Sequence, residues 1–221
     1  MKNMFKGWSK LDIAWLIIAN AIILSLGFYW GDNALSIVMS VTGLTANLLV
    51  AKGSILNYPF GIVNVLIYSF VSYQSALYGD TMLNLLYYAP MNIVGWIYWN
   101  KTKDEDGNIG VKSLTIKQFI NLSILTSITW LTYSLLLIEL NDVAPFLDSA
   151  STVLSIVGMI LMLCKYREQW YLWIIVNIVT IIMWWIAYKE GTGDLTTLLM
   201  WIVYLVNSIY GLVQWLKASN K

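Results

Sequence analysis

The chain has 221 residues, 59% of them hydrophobic and only 11% charged, with a net charge of +1 and a mean hydropathy of +0.68. A soluble domain carries about 25% charged residues, so this composition describes an integral membrane protein, and its balanced charge offers no nucleic-acid footprint. The absence of histidine and the single cysteine, Cys164, exclude an internal disulfide, a His/Cys metal centre and a catalytic histidine, so no cofactor, metal or enzymatic chemistry is expected.

Eight apolar stretches are long enough to span a bilayer, at ~20 residues each. They fall at about 11–30, 34–51, 56–75, 81–100, 116–138, 145–164, 170–188 and 194–216. The basic N-terminus, Met1 to Lys10, is followed by no small-residue cleavage site, so the first run is read as retained. Asp12 and Asn20 interrupt it, which leaves open whether it crosses or lies on the surface. Pro59 and Pro145 read as helix-start prolines. Pro90 lies inside the fourth stretch and favours a kink there. The one substantial connector is Lys101 to Lys112, which is charged and glycine-containing. If all eight stretches cross, every one of the 13 lysines and arginines except Lys189 lies on one side. The positive-inside rule makes that side cytoplasmic, together with both termini and the long loop.

An internal repeat is visible. Asn64 aligns with Asn177 at an offset of 113, which pairs Lys52 with Lys165 and Phe60 with Trp173. Small slips then pair Gly79-Asp80 with Gly193-Asp194, Asn92 with Asn207, Gly95 with Gly211 and Trp99 with Trp215. Ser40 to Gly43 likewise pairs with Ser155 to Gly158. The expected fold is an all-α membrane protein of 3+1+3 helices plus an extra N-terminal helix. Its segments are 1–33 (basic N-terminus and extra helix), 34–100 (first three-helix repeat), 101–144 (cytoplasmic loop and linker helix), 145–216 (second repeat) and 217–221 (cytoplasmic tail). One linking helix gives both units the same orientation, a parallel repeat about the membrane normal.

A ligand pocket in such a protein is expected near mid-depth between the units. Two repeat-related asparagine pairs lie there, Asn64 with Asn177 and Asn92 with Asn207. Trp170, Trp173 and Asn177 share one helix face by their spacing of three and four. Aromatic companions are Tyr68, Tyr87, Tyr88, Trp184, Trp201 and Tyr204. Amides also serve as glue between membrane helices, but two matched pairs beside an indole favour binding. Trp8, Trp30, Trp96, Trp99, Trp170 and Trp215 lie near helix ends, where an interfacial belt is the default. That leaves Trp170 ambiguous and makes Trp173, a turn deeper, the stronger pocket candidate. Trp184 and Trp185 approach the opposite interface, with pocket and belt readings both open.

No charged residue lies mid-way along the second to eighth stretches. Asp148, about one turn into the sixth, is the deepest. Proton-coupled carriers use an intramembrane carboxylate or histidine, so facilitated diffusion is the simplest mechanism. No mid-helix lysine is present for a retinal Schiff base, and no phosphate-binding loop for ATP. Gly61, Gly95, Gly158 and Gly211 allow close helix approach, and the two units are expected to rock about a central site.

The segment Asn57-Tyr58-Pro59-Phe60-Gly61-Ile62-Val63-Asn64, the run Leu77-Tyr78-Gly79-Asp80 with Asn84, Pro90 and Gly95-Trp96, and the Trp170/Trp173/Asn177 motif resemble PnuC-type vitamin transporters over residues 34–216. The tryptophan–asparagine motif is similar to that of the nicotinamide riboside members, and the family is similar in fold to the SWEET sugar transporters. The resemblance implies nicotinamide riboside uptake by facilitated diffusion across a bacterial cytoplasmic membrane, with a cytosolic kinase trapping the nucleoside. It implies substrate contacts at Trp173 and Asn177 first, then Trp170, Asn64, Asn92, Asn207 and Tyr68, with Tyr88, Trp201 and Tyr204 beside them. The lipid bilayer and the nucleoside are the expected partners, and homo-oligomerisation is left open. The nearest rival is a transporter of thiamine or another vitamin on the same scaffold, although thiamine's aminopyrimidine calls for a mid-helix carboxylate that is absent. A sugar uniporter, a non-transporting receptor or scaffold, and an enzyme fit progressively less well.

Overall fold

The computed structural model describes residues 8–74, 81–103, 110–139 and 145–219. The Leu77 to Asp80 run, Lys2, Lys6, Lys221 and the acidic centre of the 101–112 loop lie outside the described residues. Among the described residues, eight helices follow in order: α1 Lys10–Trp30, α2 Ala34–Ala51, α3 Asn57–Gln74, α4 (a π-helical part Leu83–Tyr88 continuing into Ala89–Thr102), α5 Ile116–Glu139, α6 Pro145–Leu163, α7 Gln169–Lys189 and α8 Leu195–Ser219. Six of them are long and apolar enough to cross a membrane, α3 and α4 being the exceptions. Those two carry Asn57, Asn64, Asn84 and Asn92, and this polar load is what lowers their apolarity.

Local signals fix the ends. Ser9 and Asp12 form a reciprocal capping box at the start of α1, and Gly31 ends that helix in the left-handed region at φ 70°. Asn33 caps α2 through the Leu35 N–H at 2.9 Å. In α4, Pro90 has no N–H for the carbonyl four residues back. The helix before it is wound as a π-turn, in which the Ala89 N–H reaches the Asn84 carbonyl. The irregularity expected from Pro90 therefore takes the form of a π-turn, a device common at functional sites.

Packing runs α2–α3–α4–α6–α7–α8 and closes back on α2, so six helices form a ring. Outside it, α1 rests on α2 and α8, and α5 rests on α6. The surface is the reverse of a soluble protein's. Large apolar side chains such as Ile17, Leu66, Ile97, Leu125, Leu135 and Ile182 are exposed on the surface, as a lipid environment requires. Serine, threonine and asparagine side chains are buried within the ring.

The first helix runs the full height of the bundle. Near its start, Asp12 takes Lys52 Nζ at 2.7 Å, from the end of α2, and the Tyr210 hydroxyl of α8. Past its other end, Asp32 accepts the Thr196 N–H at 3.1 Å, at the opposite end of α8. Its 21 residues make a rod of about 30 Å, the thickness of the hydrocarbon core. The interruptions at Asp12 and Asn20 are absorbed by these contacts and by the Asn20 amide bonding the Leu16 carbonyl at 2.8 Å.

The belt reading of the helix-end tryptophans needs correction. Trp99, Trp170 and Trp215 are fully buried in one cluster with Tyr58. Trp184 is also fully buried and donates to the Tyr68 hydroxyl at 2.7 Å. Distance along a helix gives depth but not facing, and these indoles face the ring interior. Trp30, Trp96 and Trp185 are exposed as a belt requires, with Lys189 Nζ over the Trp185 ring at 4.8 Å.

Candidate functional site

A cavity of about 150 Å³ occupies the middle of the ring, between two aromatic layers. Each layer grows from simple packing. On the side of Lys52 and Lys165, Tyr58 and Trp99 meet edge-on at 5.2 Å. Trp170 and Trp215 do the same at 5.9 Å, and Trp99 and Trp215 join the pairs at 6.5 Å. Tyr58 is the second residue of α3 and Trp170 the second of α7. Each lies against a glycine: a Cβ at Gly95 would overlap the Tyr58 ring, and one at Gly211 the Trp170 ring. On the other side, Tyr68 packs against Trp184 at 5.9 Å and Trp201 at 6.0 Å, and Trp201 against Tyr204 at 5.2 Å.

Of the residues expected at the site, Trp173, Asn177, Trp170, Asn64, Asn92, Tyr68, Tyr88, Trp201 and Tyr204 all line this cavity. Spacing explains the convergence. On α7, Trp170, Trp173, Asn177 and Thr180 form one stripe. On α3, Asn57, Gly61, Asn64 and Tyr68 form another. Asn207 does not line the cavity. It is buried behind it and donates to Asn47 Oδ1, which does line it. Phe60, aligned with Trp173 in the repeat, is 39% exposed and outside the cavity.

Sequence reasoning missed Asn47, Asn57, Ser151, Ser155 and Thr180, all of which line the cavity. Asn84 lines it too, from the π-turn. Ser151 and Ser155 carried a signal in their four-residue spacing on α6, but small hydroxyls in apolar helices also read as helix glue.

Among the described residues, no charged side chain lines the cavity, and no cluster of His, Cys, Asp or Glu could hold a metal. The polar groups are nonetheless oriented. The Asn64 amide nitrogen donates to the Met39 carbonyl at 2.8 Å, and that of Asn92 to the Tyr88 carbonyl at 2.8 Å. A backbone carbonyl only accepts, which fixes both amides and leaves both side-chain oxygens as acceptors on residues that line the cavity. Asn177 donates to Ser208 Oγ at 2.8 Å. The indole nitrogens of Trp170 and Trp201 have no partner among the described residues. Trp173 lies 6.4 Å from Tyr88, ring to ring, at 40°, and its indole nitrogen donates to Gln169 Oε1 at 3.2 Å. The site thus offers π-faces, carbonyl acceptors and a few N–H donors without net charge.

A closed ring of helices around a central, uncharged, polar-lined cavity is the architecture of a membrane carrier for a small organic solute. The sequence profile described as nicotinamide mononucleotide transporter matches residues 33–217, and the chain belongs to that family. It is 38% identical to a nicotinamide riboside transporter PnuC of Neisseria mucosa, over all of this chain and 86% of that protein. It is 31% identical to one of Haemophilus influenzae, over all of this chain and 96% of that protein. A crystal structure of the vitamin B3 transporter PnuC superposes with a TM-score of 0.89 at 38% identity, covering 99% of this chain and 95% of that one.

Proposed function

We propose that this protein carries nicotinamide riboside into the cell by facilitated diffusion. Its full-length likeness to nicotinamide riboside transporters supports the reading. The observation that carries it chemically is the pair of fixed acceptors, Asn64 Oδ1 and Asn92 Oδ1, in a cavity that also holds Trp173 and no charge. The ligand is a pyridinium cation with a carboxamide and ribose hydroxyls. An indole face attracts such a cation by ~0.5–2 kcal/mol, and the amide oxygens accept from the carboxamide and hydroxyls. The family description names the mononucleotide, but no described lysine or arginine lines the cavity to receive a phosphate. Stripping water from that group without a partner is costly, so the riboside enters and its phosphorylated product stays inside.

The carrier works as two parallel three-helix units, 34–100 and 145–216, joined by α5, with the basic side and the C-terminus in the cytoplasm. A cavity of about 150 Å³ takes little more than one aromatic ring, so loading a nucleoside parts one aromatic layer and release parts the other. Thiamine fits less well, because no carboxylate meets its aminopyrimidine. The deciding experiment is uptake and binding in proteoliposomes, with nicotinamide riboside compared against its mononucleotide, thiamine, riboflavin and glucose. Absence of riboside binding at micromolar concentration overturns the proposal.

A further inference from the structure

Gln169, the first residue of α7, is fully buried, yet it does not line the cavity. One turn on, Trp173 donates its indole N–H to the Gln169 side-chain oxygen at 3.2 Å. An indole N–H can only donate, so the amide cannot be flipped, and its nitrogen points the other way. There it finds no partner among the described residues. A buried amide half-satisfied in this way costs stability, and a helix start has no need of it: the side chain is not the α7 cap. Asn57, which begins α3 as Gln169 begins α7, shows the ordinary use of such an amide. Its nitrogen closes its own turn on the Ser54 carbonyl at 2.7 Å. Gln169 turns its amide to Trp173 instead.

We propose that Gln169 is a positioning residue that sets the plane of the Trp173 indole, and thereby the affinity for the ligand's cationic ring. The hydrogen bond holds one edge of the indole, the Gly158 backbone lies against the ring with room for only a tight Cβ at 3.3 Å, and Tyr88 lies beside it. Without the bond at its edge, the indole is free to rotate about its side-chain torsions. The inference rests on the proposed function, in that it takes Trp173 to meet the ligand.

The test is a double-mutant cycle on the full-length protein in detergent, with Gln169→Met, unbranched like glutamine but without the amide, combined with Trp173→Phe. Nicotinamide riboside affinity is read by calorimetry. Gln169→Met is expected to weaken binding about tenfold when Trp173 is present, the scale of one hydrogen bond, and less than about twofold when Trp173→Phe is already in place. Equal losses in the two backgrounds, or no loss in either, overturn the proposal. In ligand-free protein labelled with ¹⁵N-tryptophan, Gln169→Met is expected to shift the Trp173 indole N–H resonance upfield, and an unmoved resonance overturns it too. A wild-type protein that ignores the riboside refutes the proposed function instead, and the indole resonance still decides whether Gln169 holds Trp173.

Discussion

The indole nitrogen of Trp184 on α7 donates to the hydroxyl of Tyr68 on α3 at 2.7 Å, with both side chains buried. This bond crosses the ring, and it is the polar seam of one aromatic layer. Tyr68→Phe strands a buried indole N–H, which costs about 1–3 kcal/mol. Thermal unfolding in detergent is expected to fall accordingly. Adding Trp184→Phe to Tyr68→Phe should cost less than the sum of the two single changes, because the second removes the stranded donor.

Glycines beneath the aromatic rings are not equivalent. A methyl at Gly95 or Gly211 overlaps Tyr58 or Trp170, whereas one at Gly158 comes only to 3.3 Å from Trp173. Gly95→Ala and Gly211→Ala are expected to destabilise by about 1–3 kcal/mol, the usual range for overpacking. Gly158→Ala should leave the unfolding temperature nearly unchanged while altering riboside affinity, because it presses on Trp173, the indole proposed to meet the ligand. A parallel set of melting curves and binding isotherms separates the two effects.

Trp173→Ala and Asn177→Ala should both weaken riboside binding, but they should differ in stability. Trp173 is only part-buried, at a cavity wall. Asn177 is buried and satisfies Ser208, itself fully buried. Its removal should therefore also cost about 1 kcal/mol of stability. Calorimetry paired with thermal melts checks this, and normal binding in both variants would place the site elsewhere.

Asp194, in the turn between α7 and α8, accepts from the Thr197 N–H at 2.7 Å and from Ser36 at 3.2 Å. Burial pushes its carboxyl above the ordinary 3.8, against the pull of the Thr197 bonds, and the neighbouring Asp32 adds to the rise. A carboxyl harder to ionise when folded makes the folded state lose stability as pH climbs from 3.8 towards that raised value, and the loss then stays constant. Asparagine caps helices about as well as aspartate. Asp194→Asn should therefore flatten the pH dependence of unfolding across the mildly acidic range, and an unchanged slope would count against the raised carboxyl.

With no ionisable carboxylate, lysine or arginine among the described residues lining the cavity, an imposed proton gradient should leave the final accumulation of riboside in proteoliposomes unchanged. Uphill uptake driven by that gradient would refute facilitated diffusion.

Much of this could be read in advance, for identifiable reasons. Hydropathy marks helices wherever lipid must be faced, so all eight emerged within a few residues of their ends. The repeat alignment picked out Asn64, Asn92 and Asn177, since a polar side chain at mid-depth must point inward. Asn207 satisfied the same rule, but it serves as second support behind Asn47. What stayed hidden was facing at the helix ends. Trp99, Trp170 and Trp215 have the sequence position of interfacial anchors, and only their burial in the folded ring reveals that they turn inward. The π-turn at Leu83–Tyr88 left no mark beyond Pro90, because a proline announces an irregular helix but not the form that the irregularity takes.

The outer placement of α1 has a mechanical consequence. It straddles α2 and α8, where the two halves meet broadly, and is pinned at both ends through Asp12 and Asp32. The opposite junction, α4 against α6, is much slighter. It is spanned by the bonds from the Tyr87 hydroxyl to the Ile156 carbonyl at 2.8 Å and from the Trp99 indole to the Leu163 carbonyl at 3.1 Å. The ring is bound like a book, with a stitched spine along α1 and a fore-edge at α4 and α6, beside the π-turn. Rocking of the two proposed units is therefore expected to pivot on the spine and part the fore-edge.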